Sequence, residues 1–78
     1  MSDYRPISCQ SYAELEVAIL HQVSLRVAWL AGDGRQRLEP LRPADLSTRA
    51  HEEYLLAEDS LGRQLEIRLD RILRFSPL

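Results

Sequence analysis

The stretch Arg63-Gln64-Leu65-Glu66-Ile67-Arg68-Leu69-Asp70 decides the fold. Leu65, Ile67 and Leu69 alternate with Glu66, Arg68 and Asp70, so an extended chain sets aliphatic side chains on one face and charges on the other. That is a strand with one buried and one wet face. The alternation then breaks, because the next apolar residue, Ile72, lies three positions after Leu69 rather than two. A short helical turn or bulge near Asp70-Arg71 accounts for the break, followed by a last strand that ends at Phe75.

Upstream, Asp59-Ser60-Leu61-Gly62 turns the chain, and Glu53 to Glu58 reads as another strand, carrying Tyr54, Leu55 and Leu56. Residues 42–52 read as a polar connection. Before it, a strand covers roughly Arg35 to Leu41, with Pro40 and Pro43 confining its end to a sheet edge or a bulge. Ala31-Gly32-Asp33-Gly34 is a hairpin turn in which Asp-Gly is the strongest signal. It is preceded by a strand in which Leu25, Val27 and Trp29 alternate with Ser24, Arg26 and Ala28.

A different period precedes the first strand. Residues 1–10 read as an extended lead-in, since Pro6 pushes Arg5 toward extended geometry. Ser11-Tyr12-Ala13-Glu14 fits the S-x-x-E capping box, which starts a helix over residues 11–22. At 100° per residue, Tyr12, Leu15, Ile19 and Val23 form the core stripe, and Ala13, Glu16, Val17 and Leu20 fall on an adjacent side. Glu14 and His21 fall opposite the core. The helix is thus apolar on more than one face. One helix followed by five short antiparallel strands predicts a mostly β domain, a small Sm-like or SH3-like five-stranded barrel over residues 24–75, in which closure removes open edges.

The composition narrows the function. Seventy-eight residues make one domain, expected to span residues 1–78, and so short a chain buries only ~60% of its unfolded surface. No apolar run approaches the ~18 residues of a membrane span, and the opening residues do not form a secretory signal. One cysteine, Cys9, cannot form an internal disulfide, and with two histidines it cannot build a zinc cage. The expectation is a cytoplasmic protein with no membrane partner, no metal and no cofactor, and with Cys9 a small buried group near the helix start. Nucleophile elbow, phosphate-cradling glycine loop and H-E-x-x-H are all missing, so the sequence offers no support for an enzyme. His21 and His51 read as surface or boundary residues, and Trp29 as a core residue.

Charge gives the sharper reading. Twelve carboxylates oppose ten bases, every base is arginine, and the formal net charge is -2. A domain that holds nucleic acid by phosphate neutralisation is typically basic, so direct nucleic-acid binding is not expected. Glu14 and Glu16, with Glu52, Glu53, Glu58 and Asp59 further on, make two negative segments. Arg63, Arg68, Arg71 and Arg74 make a positive one. These runs are either ordinary solvated surface or a negative face, with Ala13, Val17 and Leu20 as its apolar centre, that would dock a basic partner and steer its approach.

Specific residues extend this reading. Tyr4-x-Pro6-Ile7-x-Cys9, Tyr12-x-x-Leu15-Glu16-x-Ala18 and His21 resemble the opening of the Rof family, bacterial inhibitors of the transcription terminator Rho. The match continues through Asp33-Gly34, Asp45-Leu46, Arg49, Glu53-Tyr54-Leu55 and Glu66-x-Arg68-Leu69-Asp70-x-Ile72-x-x-Phe75. The resemblance implies a non-enzymatic binding protein, a monomer when free, with an Sm-like fold and an N-terminal helix. Its implied partner is Rho, bound near the primary RNA-binding site on the N-terminal domain, so that RNA cannot load. Tyr12 and Glu16 match the family's helix contacts and Arg49 its loop contact. With Ala13, Glu14, Val17 and Leu20 of the same helix, and Ala50 and His51 of the same loop, these are the partner-binding candidates. The sequence departs from the family pattern at Ala13, where an acidic residue is usual, and at Arg49-Ala50-His51, where a more polar or basic run is usual. An Sm-like RNA-binding module and an accessory barrel for another protein are the alternatives.

Overall fold

Alternation in the deciding stretch becomes β4 (Gln64–Arg68), and the break after it becomes a single 3-10 turn, Leu69–Arg71, that leads into β5 (Ile72–Pro77). Leu69 is fully buried, Ile67 nearly so, and Leu65 packs half-buried against the same core. The computed structural model describes residues 3–78. Ahead of β4 come α1 (Cys9–Leu20), β1 (Leu25–Leu30), β2 (Gln36–Arg49) and β3 (Glu52–Asp59). The five strands form one antiparallel sheet in the order β4-β3-β2-β1-β5.

Two expectations about the sheet change. Residues 42–52 are not a connection: β2 runs 14 residues, and only Ala50 and His51 separate it from β3. The prolines misled the reading. Up to Leu41 the strand pairs with β1, and from Leu41 onward with β3; Leu41 faces both Leu25 and Asp59. Pro40 therefore has only β1 beside it, opposite Arg26, and Pro43 only β3, opposite Ala57. At both points β2 is locally an edge, where a residue without an N–H leaves no ladder bond unmade. The expected bulge is present, between Pro43 and Asp45.

The second change concerns closure. The class is as expected, mostly β with one N-terminal helix and five antiparallel strands, but the sheet is open. Its edges are β4 and β5, and no ladder joins them among the described residues. The three-residue link Leu69–Arg71 reaches at most ~10 Å. It still carries the chain from one edge to the other, so the sheet curls until its edges approach at that corner.

The core fills the concave side of this curl. Leu25, Val27 and Trp29 of β1, Leu41 of β2, Leu55 and Ala57 of β3, Ile67 and Leu69 meet Leu15 and Ala18 of α1. Those last two are the buried residues of the helix. Trp29 is a core residue, as expected, with the Arg37 guanidinium over its ring at 5.7 Å. Asp59 is a buried carboxylate that organises the β3–β4 turn. It accepts from the Leu61 and Arg63 amides, both at 2.9 Å, and from Arg63 Nε at 2.8 Å.

The helix starts and stops two residues earlier than expected. Ser8, not Ser11, is the cap: its backbone is extended and its Oγ accepts from the Ser11 amide at 3.1 Å. Ser11 is already helical, and Glu14 accepts instead from the Gln10 side chain one turn back. With Ser8 as cap, Cys9 occupies the first helical position and is exposed rather than buried. At the other end Gln22 takes a left-handed conformation, φ 55°. The Val23 amide donates to Ala18 at 2.9 Å and the Gln22 amide to Ile19 at 3.2 Å. This is a Schellman termination with glutamine where glycine is usual, and so the sequence carried no stop signal there. Among the described residues no helix is long and apolar enough to cross a membrane.

Candidate functional site

Helix α1 lies across the sheet against β2 and shows two flanks to solvent. On one flank Tyr12, Glu16, Ile19 and Leu20 face Asp45 and Leu46 of β2 across a groove of about 440 Å³. On the other, Ala13, Glu14 and Val17 line a groove of about 450 Å³ with residues of β1 and β5. The candidate residues on the helix are therefore divided: Tyr12, Glu16 and Leu20 stand together, and Ala13, Glu14 and Val17 stand on the far side.

The first flank is acidic. Burial, and after it the carboxylates of Glu53, Glu16 and Asp45, push the Tyr12 phenol above its ordinary pKa. Those three acids come from α1, β2 and β3; Glu16 and Asp45 share the groove with Tyr12, so distant parts of the chain contribute to one negative surface. Tyr4 supports it from the lead-in, donating its hydroxyl to Glu53 Oε1 at 3.1 Å. Burial first, and that hydrogen bond second, push the Tyr4 phenol up to about 12. Asp45 and Glu53 match the family pattern in sequence, but nothing local marks them as part of the site. Their proximity to Tyr12 depends on the β2–β3 pairing that the prolines concealed.

The other acids of residues 49–59, Glu52, Glu58 and Asp59, are each paired with an arginine, two of these from the positive segment and one from β2, because β3 lies beside β4 and β2. Arg42 bridges Glu58 at 2.6 Å, Arg63 bridges Asp59 at 2.8 Å, and Arg49 pairs with Glu66. Arg68 is the hub: it holds Asp70 through two bonds at 2.6 and 2.9 Å, Asp3 at 3.0 Å and Glu52 at 3.3 Å. These hydrogen bonds raise its pKa further, and Arg68 in turn lowers that of Asp3. Among the described residues Glu14, Glu16, Asp45 and Glu53 have no ion-pair partner. The negative face is thus narrower than the charge runs implied, and it is centred on the helix.

Arg49, Ala50 and His51 form the tip of the β2–β3 hairpin, one pair beyond Thr48↔Glu53. Ala50 and His51 both lie in the left-handed region, φ 50° and 66°, the geometry of a two-residue type I′ turn that favours asparagine and glycine. Arg49 is spoken for within the chain: its guanidinium covers the Tyr54 ring at 4.4 Å while it pairs with Glu66. Arg68 similarly sits over Tyr4 at 5.8 Å. With Trp29 buried, three aromatic rings that an RNA base would need for stacking are covered by arginine or by the core.

The profile of the ROF family, described as "Modulator of Rho-dependent transcription termination", matches residues 6–78. The chain is similar to Protein rof of Escherichia coli (strain K12), with 37% identity over 73 residues, 94% of this chain and 81% of that protein. Protein rof of Shigella flexneri is 37% identical over the same span. Among solved structures, Proteasome accessory factor B/C (PafBC) of Arthrobacter aurescens superimposes with a TM-score of 0.79 at 20% identity, over 96% of this chain and 12% of that one. At that identity the likeness is one of fold alone.

Proposed function

The chain belongs to the ROF family of modulators of Rho-dependent transcription termination, and from that premise we propose that it binds Rho and keeps RNA from its primary RNA-binding site on the N-terminal domain. The observation that carries the reading is the groove that brings Tyr12, Glu16 and Asp45 together, with Glu53 acting on the same phenol and no base paired to these acids among the described residues. A surface that takes RNA phosphates is basic, and an acidic surface of fixed shape competes for it. Tyr12 supplies an amphipathic contact in the middle of the acids, and Leu20 an exposed aliphatic one. The Arg49–His51 turn flanks the same end of the β2–β3 ribbon. In this reading inhibition is occupancy: stoichiometric in Rho subunits, reversible and without a cofactor.

The test is displacement of a fluorescent cytosine-rich RNA from purified Rho. Adding the protein should release the RNA, excess RNA should restore its own binding, and Glu16→Arg should leave the fold intact and abolish release. Should RNA and protein bind Rho together with no loss of affinity for either, occlusion is refuted.

A further inference from the structure

The second flank of α1 has a chemistry that the acidic reading does not use. Its groove, about 450 Å³, has Ala13 and Val17 on the helix wall, Leu25 at its floor, and Phe75 and Pro77 on the opposite wall. Val17 is half exposed, although nothing about a water-facing helix position calls for valine. The volume lies in the ~300–1,000 Å³ range of sites that enclose a ligand-sized group. The opposite wall is β5, an edge strand with β1 as its one neighbour in the sheet, so the groove is open along that side. At its rim stands Glu14, whose hydrogen-bond partner is the neutral Gln10 amide and whose charge meets no base among the described residues.

We infer that this groove receives a bulky aliphatic or aromatic side chain of the same protein partner, one followed closely by an arginine or lysine that pairs with Glu14. The charge selects the occupant. An apolar slot beside an uncompensated carboxylate fits an apolar anchor with a cationic neighbour and disfavours an acidic or purely polar segment. The helix then works as a wedge, with Tyr12 and Glu16 against the partner's basic surface on one side and the slot on the other. The inference rests on the proposed binding to Rho, but it makes its own demand. Part of the affinity must be insensitive to salt, since apolar burial is not screened as exposed charge pairs are.

The test measures binding to RNA-free Rho hexamer at several salt concentrations. Ala13→Trp fills the slot from an exposed position, and Val17→Glu puts a charge on its wall. Each should weaken binding at least tenfold with the thermal melt unchanged, and Ala13→Trp, which alters no charge, should leave the salt slope unchanged as well. Glu16→Arg, on the other flank, should change the slope. A photo-crosslinker at position 13 should attach to a Rho segment with an apolar residue within a few positions of arginine or lysine. Parental binding by both Ala13→Trp and Val17→Glu, or attachment to an acidic segment, overturns the slot and leaves the acidic face standing. If none of the three variants affects binding, the acidic face fails as a contact surface along with the slot, and the RNA-displacement experiment alone decides whether Rho binding occludes RNA.

Discussion

Leu15→Ala tests how the helix is held. Leu15 is fully buried, while Leu20, five positions on in the same helix, is 76% exposed. Only Leu15 and Ala18 of α1 are buried, with Tyr12 and Ile19 partly so, and removing the isobutyl group of Leu15 takes away the largest fully buried side chain that docks α1 on the sheet. Leucine-to-alanine changes at fully buried sites cost ~3–5 kcal/mol, the transfer term plus the cavity left behind. A domain of this size is stable by ~4–12 kcal/mol, so the loss is a large fraction of the whole. With a urea m-value of ~1 kcal/mol/M for a small domain, the unfolding midpoint should fall by ~3 M or more. Trp29 reports the transition, because it is the one tryptophan and belongs to the same core cluster as Leu15. Leu20→Ala is the control from the same helix, expected to move stability by less than ~0.5 kcal/mol while weakening binding to Rho. Equal midpoints for the two variants would refute the division of α1 into a docking residue and a contact residue.

Three further outcomes follow from the titrating groups and the turn. The Tyr4 phenol is pushed up to about 12, so the folded state keeps a proton that the unfolded chain releases near ~10. Its contribution is full below that pH and is lost as pH rises through the folded value; Tyr4→Phe should flatten the fall in melting temperature between pH 10 and 12. The Arg63 amide, against the opposing effect of burial and with help from the Arg63 guanidinium, holds the Asp59 carboxyl below its ordinary pKa. That stability is present above ~pH 4 and disappears as pH falls through the lowered value, so circular dichroism during acid titration should show a shallower loss for Asp59→Asn, from a lower starting point. Ala50→Gly relieves a left-handed alanine and should raise stability by ~0.5–1 kcal/mol, or ~2–8 °C in melting temperature; a lower melting temperature in calorimetry would contradict the strain.

What the sequence made legible was whatever announced itself within a few residues. The alternation at Leu65, Ile67 and Leu69, the missed beat before Ile72 and the Asp-Gly and Leu-Gly turns all became structure near their expected places. The failures share a cause, which is context supplied by distant chain. Pro43 looks like a strand breaker until one knows that β1 has already left its side of β2. Ser11-x-x-Glu14 is as good a capping box on paper as anything around Ser8, and what separates them is the path of the lead-in, which Asp70 fixes by accepting from the Arg5 amide at 3.2 Å. In the candidate site, helical periodicity puts Tyr12 in the core stripe and Ala13, Glu16, Val17 and Leu20 on one side, whereas the structure sets Tyr12, Glu16 and Leu20 on one flank and Ala13, Glu14 and Val17 on the other. Only roughly 100° of rotation about the helix axis separates Tyr12 and Glu16 from Ala13 and Val17, and only the position of β5 reveals that the second flank has a wall. The charge runs misled in the same way, since segments of opposite sign far apart in sequence lie beside each other in the sheet.

The order of the sheet also bears on how the chain reaches it. From β1 to β4 each strand pairs with the one just made, through turns of a few residues. Short loops of this kind close quickly and at little entropic cost. The last strand is different: Leu25↔Pro77 and Trp29↔Ile72 join residues more than forty positions apart. The topology therefore predicts that a four-stranded meander forms first with the β1 edge uncovered, and that β5 docks as a separate, later event. Pulse-labelled hydrogen exchange during refolding should find the β2–β3 amides protected before those between β1 and β5. On this order the groove wall made by Phe75 and Pro77 is absent until the final step, so the proposed seat for a partner's apolar side chain should be the last property the folding molecule acquires.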